Sequence, residues 1–124
     1  MNLHCFAYFI SPHGFGHAAR ASAVMNALHN KLPGNNLEIY TSVPEWFFRD
    51  SCIAPFNYHN LVCDVGLVQK TATIQDLGET LIRLAQLYPV HDSLRGKLKQ
   101  ELLEAKCCGI ICDISPLGIE IADS

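Results

Sequence analysis

Short apolar runs alternate with segments of helical periodicity along this chain. Four runs have the length and the apolar or aromatic content of strands: Cys5–Ile10, Leu37–Val43, Phe56–Asn60 and Gly109–Ile114. From Gly16 to about Asn30, small or apolar residues recur at steps of three and four, which predicts a helix that Pro33–Gly34 ends. Pro44 can open a second, short helix that extends to Asp50, since proline suits a first helical turn.

The second half of the chain is mostly helical in its pattern. Leucines hold a helical period from Leu77 almost to Lys106, and Pro89 interrupts it, so we expect a kink or two abutting helices. Pro116–Ala122 predicts a last helix. Leu61–Thr73 has no regular pattern and predicts a long surface loop.

This alternation of strands and helices predicts an α/β fold, a Rossmann-like doubly wound parallel sheet with helices on both faces. Such sheets usually contain five or more strands, whereas this pattern supplies four. The last helix is followed only by Asp123–Ser124, with no further strand. We therefore expect residues 1–124 to be a fragment of a longer protein that covers most of one Rossmann-like domain.

Composition narrows the class of protein. The chain has 124 residues, 49% of them apolar and 17% charged, which is ordinary for one globular domain. A net charge of −3 without a basic stripe argues against nucleic acid as the main partner. No apolar run approaches the roughly 18 residues of a membrane span. Met1–His4 lacks the Lys or Arg of a secretory signal, so we expect a soluble, cytoplasmic protein.

The six cysteines form no Cys-x-x-Cys pair. A thiolate metal site from Cys107, Cys108 and Cys112 is one interpretation, but this spacing matches no familiar zinc pattern. The favoured interpretation is that the cysteines are small buried hydrophobic residues in a reducing compartment. We therefore expect no metal and no disulfide framework.

The loop Ser11–Arg20 carries the strongest candidate chemistry. It joins a strand to a helix, and its Gly14-x-Gly16-x-x-Ala19 pattern fits a tolerant form of the dinucleotide fingerprint. The glycines allow a tight turn, and the helix N-terminus offers free N–H groups to an anion. Alternatively, the glycines serve only the turn and the helix packing. An NAD site also needs an acidic residue at the end of the second strand, where this chain has Thr41–Ser42–Val43, so that function is the alternative.

Topology predicts that two distant polar residues meet. In a doubly wound sheet with strand order 3-2-1-4, the first and fourth strands are neighbours, and a crevice opens between their carboxyl ends. His17 follows the first strand and Asp113 ends the fourth. A carboxylate that binds one imidazole nitrogen fixes the tautomer and makes the other nitrogen a base. The competing interpretations are an exposed His17 and an Asp113 that caps the next helix.

Other residues of these two segments are candidates for binding. We expect a substrate or its phosphate to contact residues of the loop and of the segment after the fourth strand: His13, Gly14, Phe15, Gly16, Arg20 and Ser115. Arg20 lies one turn into the helix, where an exposed surface position is the commoner case. Trp46, Phe47 and Phe48 form either an apolar wall for an acceptor or, as we favour, part of the core.

These residues resemble a known family. Phe6–Leu28, with its His-Gly-Phe-Gly-His-Ala-x-Arg core, resembles the opening of GT-B-fold glycosyltransferases, most closely the glycosyltransferase-like proteins related to the N-terminal half of plant L-arabinokinase. Ile110–Ala122 is similar to the segment that those proteins carry at the end of their fourth strand. The two matches cover about a third of the chain, in the same order and with a separation that agrees with the family.

The resemblance implies an enzyme of two facing Rossmann-like domains. This chain would be the acceptor-side domain, and a C-terminal domain absent from it would bind most of a nucleotide sugar such as a UDP-sugar. His17 falls on the position of the general base and Asp113 on that of its orienting carboxylate, while Gly14 and Gly16 would let the loop approach the donor diphosphate. The chain departs from many small-molecule glycosyltransferases because Ala18–Ala19–Arg20 replaces a proline-rich segment.

The leading hypothesis is thus the N-terminal fragment of an inverting, nucleotide-sugar-dependent hexosyltransferase, inactive by itself and without a further cofactor. Two alternatives stay open. One is the NAD-type or other nucleotide-binding domain of an oxidoreductase. The other is a non-catalytic sugar-binding module attached to a sugar kinase.

Overall fold

A single parallel sheet organises the chain. The computed structural model describes residues 5–62, 77–87, 92–113 and 115–123. Its strands, in chain order, are β1 (Cys5–Ile10), β2 (Asn36–Thr41), β3 (Asn57–Asn60) and β4 (Cys107–Asp113). All pairings are parallel, and the spatial order is β3-β2-β1-β4. This arrangement confirms the predicted Rossmann-like α/β sheet and its strand order, with bounds that differ from the predicted ones by a few residues at most.

Four helices lie between the strands in the described parts of the chain and a fifth follows β4: α1 (Gly16–Lys31), α2 (Glu45–Ser51), α3 (Leu77–Leu87), α4 (Asp92–Glu104) and α5 (Pro116–Ala122). Pro44 precedes α2 as its N-cap residue instead of opening the helix. The interrupted leucine pattern yields two helices, α3 and α4, on either side of Pro89, which itself lies outside the described residues. Most of the predicted loop Leu61–Thr73 also lies outside them.

The two faces of the sheet carry separate apolar clusters because successive side chains of a strand point to opposite faces. Tyr8 and Ile10 of β1 pack with α1 and α2 on one face. Ala7 and Phe9 pack with α4 and α5 on the other. β1 is therefore buried on both sides, which explains its continuous apolar sequence. α1 lies close to the sheet through Ala18 and Ala21, whose side chains are fully buried.

Register at the centre of the sheet brings two loops together. Ile10 of β1 is the partner of Asp113 of β4, and the backbone N–H of Ser11 donates to the carbonyl of Asp113 at 3.1 Å. The loop that follows β1 and the segment that follows β4 therefore start side by side at the carboxyl edge of the sheet. This edge is where doubly wound folds bind ligands.

The strand β4 differs from β1 in its surroundings. Within the described part of the chain it pairs with β1 alone, and Ile110, Ile111 and Cys112 are only partly buried. Its sequence, Cys-Cys-Gly-Ile-Ile-Cys-Asp, is nevertheless as apolar as that of a central strand. β4 thus presents an apolar edge on the side away from β1.

The prediction of buried cysteines is only partly correct. Cys5 is buried, and Cys52, Cys107 and Cys112 are half-buried, but Cys108 is exposed at an irregularity where the register of β1 with β4 skips it. Cys63 lies outside the described residues. Among those residues, no group of three or more His, Cys, Asp or Glu side chains is placed to hold a metal ion.

No helix in the described ranges combines the length and the apolar character that crossing a bilayer requires.

Candidate functional site

The loop between β1 and α1 forms the centre of the candidate site. Residues 13–16 are exposed, and Gly14 adopts a left-handed φ of +59°, which glycine tolerates without steric cost. A Cβ built at Gly16 meets no atom within 4 Å, so helix packing does not require glycine there. No side-chain hydrogen bond caps α1 at Phe15, and the first turn of α1 contains no acidic residue. The N-terminus of α1 is therefore accessible to a ligand, and its free N–H groups and helix dipole make it electropositive.

His17, Arg20 and Asp113 lie in mutual contact and form what we call the His17 cluster. His17 Nδ1 is 3.2 Å from Asp113 Oδ1, although the two residues are 96 positions apart in sequence. Arg20 Nη2 donates to the same Oδ1 at 2.8 Å and lies 3.0 Å from His17 Nδ1. The structure thus brings together the two residues that topology predicted to meet, and it adds Arg20 between them.

Burial differs strongly within the His17 cluster. The side chain of Asp113 is 8% exposed, that of His17 24% and that of Arg20 62%. Asp113 Oδ1 has two side chains within hydrogen-bonding distance, whereas its Oδ2 is buried without a partner among the described residues. A buried acceptor without a hydrogen bond costs about 1–3 kcal/mol. The Asp113 carboxylate is therefore fixed in place from one side only.

Tyr8 responds to the charges of this cluster. Its pKa lies above the ordinary value of 10.0, chiefly because of burial and further because of the Asp113 carboxylate, while Arg20 acts in the opposite direction. The phenol of Tyr8 therefore stays protonated at neutral pH and takes no part as a base.

The remaining predicted residues lie in different settings. His13, Gly14, Phe15 and Gly16 are exposed in the loop. Ser115 is 1% exposed, and its Oγ accepts from the backbone N–H of Gly118 at 3.4 Å as the N-cap of α5. The structure thus gives Ser115 a capping role, while the role of each of these residues toward a substrate stays a prediction.

Three aromatic rings stand beside the loop. Phe15 stacks on Phe47 with ring centroids 5.1 Å apart, and Trp46 lies 5.9 Å from Phe15. Phe15 is 49% exposed and Trp46 57% exposed, whereas Phe48 is fully buried. Core packing was therefore the wrong prediction for Trp46, because it lies two positions from the buried Phe48 and hence on nearly the opposite side of α2. We call Phe15, Trp46 and Phe47 the aromatic platform.

A second histidine–carboxylate pair, which sequence reasoning missed, lies on the α4 face of the sheet. His59 Nε2 donates to Glu38 Oε2 at 2.7 Å, and Asn57 Nδ2 donates to Glu38 Oε1 at 3.0 Å. The ring of His59 stacks on Tyr40, whose hydroxyl donates to Glu101 at 3.0 Å. The period-2 alternation of β2 and β3 was the available signal, because it places these side chains on one face.

Two thiols also meet on this side of the sheet. Cys5 Sγ lies 3.0 Å from Cys107 Sγ, and both cysteines are free thiols. Burial is the main cause that raises the pKa of each thiol above 9.0. Both thiols are therefore protonated at neutral pH and poor nucleophiles.

Comparison with known proteins adds one relative. Over 119 residues, which are 94% of this chain, the sequence is 32% identical to L-arabinokinase of Arabidopsis thaliana. The chain spans about a tenth of the length of that protein, since the matched region is 11% of it. No protein-family model matches the chain. No solved structure matches it.

The similarity confirms one part of the resemblance expected from the sequence motifs. Nearly the whole chain is distantly related to a segment of a protein named as a sugar kinase. Glycosyl transfer, by contrast, stays a prediction that rests on the motifs and on the site.

Proposed function

We propose that this chain is the N-terminal part of an inverting glycosyltransferase that moves a hexosyl group from a nucleotide sugar, such as a UDP-sugar, to an acceptor hydroxyl. The observation that carries the proposal is the contact between His17 and Asp113 at the carboxyl edge of the sheet. A histidine and a buried carboxylate in contact are the parts of a general base with its orienting group.

In the proposed reaction His17 is the base. The acceptor oxygen attacks the anomeric carbon and forms the new glycosidic bond, while its proton passes to Nε2 of His17. The bond from the anomeric carbon to the diphosphate oxygen breaks, and its electron pair leaves with the nucleoside diphosphate. Asp113 stabilises the imidazolium that forms, as a carboxylate does in other histidine bases.

The loop supplies the proposed contact with the diphosphate. Gly14 and Gly16 leave room for close approach, since a Cβ at either position would meet no atom within 4 Å. The first N–H groups of α1 attract an anion through hydrogen bonds and the helix dipole. In this proposal His13 and Arg20 add polar contacts at the same end of the helix.

The aromatic platform is the proposed place of the acceptor. Phe15 is only two residues from His17 along the chain, and its ring joins those of Phe47 and Trp46 in one exposed surface. Aromatic faces of this kind bind the apolar side of a sugar ring or a flat apolar acceptor. Trp46 thus becomes a residue that sets the orientation of the acceptor.

A longer chain is part of the proposal. The half-exposed apolar edge of β4 is suited to pair with a further strand of the same domain. The donor site in a GT-B-like arrangement needs a second Rossmann-like domain that would follow this one. We place the whole protein in the cytoplasm, as its free cysteines favour.

The relationship to L-arabinokinase favours one second candidate, a non-catalytic sugar-binding module attached to a sugar kinase. The oxidoreductase alternative is weaker, because β2 ends at Tyr40–Thr41 without an acidic residue to bind an NAD ribose. Glu38, the acidic residue of β2, is bound to Asn57 and His59 on the α4 face.

The test begins with the coding region beyond Ser124. We expect about 200 further residues with a second strand–Gly-rich loop–helix unit. The protein expressed from the full coding region is then titrated by calorimetry with UDP, NADH and L-arabinose. UDP binding together with release of UDP from a UDP-sugar supports the transferase. Tight NADH binding without UDP binding contradicts it, and binding of L-arabinose without UDP release supports the kinase-attached module.

A further inference from the structure

In the His17 cluster, His17 Nδ1 cannot form hydrogen bonds with Asp113 Oδ1 and with Arg20 Nη2 at the same time. Nδ1 of a histidine has one in-plane position, which either holds a proton and donates or holds a lone pair and accepts. Asp113 Oδ1 can only accept from it, and Arg20 Nη2 can only donate to it. The contacts of Nδ1 with Asp113 and with Arg20 therefore require opposite tautomers of a neutral His17.

The distances favour Arg20 as the partner of Nδ1. Arg20 Nη2 carries two hydrogens, and it lies 2.8 Å from Asp113 Oδ1 and 3.0 Å from His17 Nδ1. Both of its N–H bonds thus have an acceptor if Nδ1 holds a lone pair. The direct separation of Nδ1 and Oδ1, 3.2 Å, is the longest of the three. Arg20 bridges the histidine and the carboxylate.

We infer that Arg20 is a positioning residue that selects the tautomer of His17, holding the proton on Nε2 and the lone pair on Nδ1. The inference rests on the proposed role of His17 as the base. With the proton on Nε2, the nitrogen directed away from Asp113 cannot accept a proton from an acceptor hydroxyl. His17 becomes a base only when Arg20 leaves Nδ1 and the proton moves there, where it faces Asp113.

The burial of the three side chains suits this exchange. Arg20 is 62% exposed on α1, so its guanidinium can move into solvent or toward an anion without unpacking the core. Asp113 is 8% exposed and keeps a partner in both arrangements, first Arg20 and then the Nδ1–H of His17. The buried Asp113 carboxylate therefore accepts a hydrogen bond in both arrangements, and only the exposed side chain of Arg20 has to move.

The tautomer is measured directly by long-range ¹H–¹⁵N NMR of the histidine rings at about pH 8.5, where an ordinary imidazole is neutral. His17→Gln identifies the signals of His17 among the six histidines. In the unmodified chain we expect the Nε2–H pattern to dominate. Arg20→Met removes the donor from an exposed position and should shift the ratio toward Nδ1–H by about tenfold, the scale of one hydrogen bond.

Arg83→Met is the matched control, because Arg83 is an exposed arginine paired with a carboxylate, Glu79, on α3. We expect this variant to leave the His17 signals unchanged. The inference is wrong if His17 already has the proton on Nδ1 in the unmodified chain, or if Arg20→Met leaves the tautomer ratio unchanged. The measurement needs no substrate. A protein that shows the tautomer shift but binds no UDP therefore refutes the proposed function and not the role of Arg20.

Discussion

The pairs His17–Asp113 and His59–Glu38 place the same two chemical groups at different positions of one sheet. Both oxygens of Glu38 accept hydrogen bonds, from Asn57 and from His59, and the histidine ring is stacked on Tyr40. In the other pair Asp113 Oδ2 has no partner among the described residues, and both the histidine and Arg20 contact Oδ1. The first pair lies on the sheet face and the second at the carboxyl edge.

The comparison shows that a histidine beside a carboxylate is not by itself a site. Where both carboxylate oxygens accept a hydrogen bond and the ring is packed, as in the His59–Glu38 pair, the contact is structural and its carboxylate is fully satisfied. Where one oxygen lacks a partner within the described ranges and two side chains lie within reach of the other, as at Asp113, the arrangement has more than one low-energy state. Such incompletely satisfied groups are typical of functional sites.

The largest expected difference concerns catalysis. His17→Gln should lower the rate of UDP-sugar consumption by the full-length protein roughly 10²–10⁴-fold, the usual contribution of a general base. His59→Gln should leave that rate nearly unchanged, because the side chain of His59 lies on the α4 face of the sheet, whereas His17 lies at the carboxyl edge. Steady-state rates of the two variants, with circular dichroism as a check of folding, provide the measurement. Equal rates for both variants would remove the distinction between the two pairs.

The next effect concerns stability. Glu38→Ala should lower the free energy of unfolding by about 1–3 kcal/mol, since it leaves the donors of Asn57 and His59 without their acceptor. Glu45→Ala is the matched control, because Glu45 forms an exposed pair with Arg49, and such pairs contribute about 0–1 kcal/mol. Urea titrations measure both changes. A loss at Glu38 no larger than that at Glu45 would show that the pair does not stabilise the fold.

Alkaline pH should act on the His59–Glu38 region through Tyr40. Burial, and then the hydrogen bond and charge of Glu101, raise the pKa of Tyr40 far above 10.0. The folded state thus keeps a proton that the unfolded state loses, so the free energy of unfolding falls as pH rises above about 10, by up to ~1.4 kcal/mol per pH unit. Urea midpoints from pH 8 to 11 measure this slope. Tyr40→Phe should make it less steep, and an unchanged slope would exclude Tyr40 as its source.

The smallest expected effect concerns Ser115. Ser115→Ala removes the N-cap of α5 and should lower the free energy of unfolding by about 1 kcal/mol. Ser51→Ala, at an exposed last position of α2, should change it by less. If Ser115 serves only as a cap, the affinity of the full-length protein for UDP stays the same. A loss of UDP affinity without a loss of stability would instead place Ser115 in the binding site.

Local pattern was sufficient for the elements and for their order. Cys5–Ile10 is continuously apolar because β1 is buried on both faces, and the spacing of small residues after Gly16 fits the face of α1 that packs on the sheet. Those patterns indicated a doubly wound sheet, whose usual strand order 3-2-1-4 is the observed order β3-β2-β1-β4. The order alone was enough to place His17 beside Asp113.

Tertiary structure decided the finer features of both regions. Whether Arg20 reaches between His17 and Asp113 depends on its rotamer on α1 and on the register of β1 with β4, and neither leaves a local sequence signal. The pairing of His59 with Glu38 depends in the same way on how β2 and β3 align. Trp46 and Phe48 have the same apolar character in sequence, but only the side of α2 that carries Phe48 packs against the core, so Trp46 is exposed. Sequence periodicity fixes which face a residue shares with its neighbours along the chain, whereas contacts between distant segments follow from packing and register.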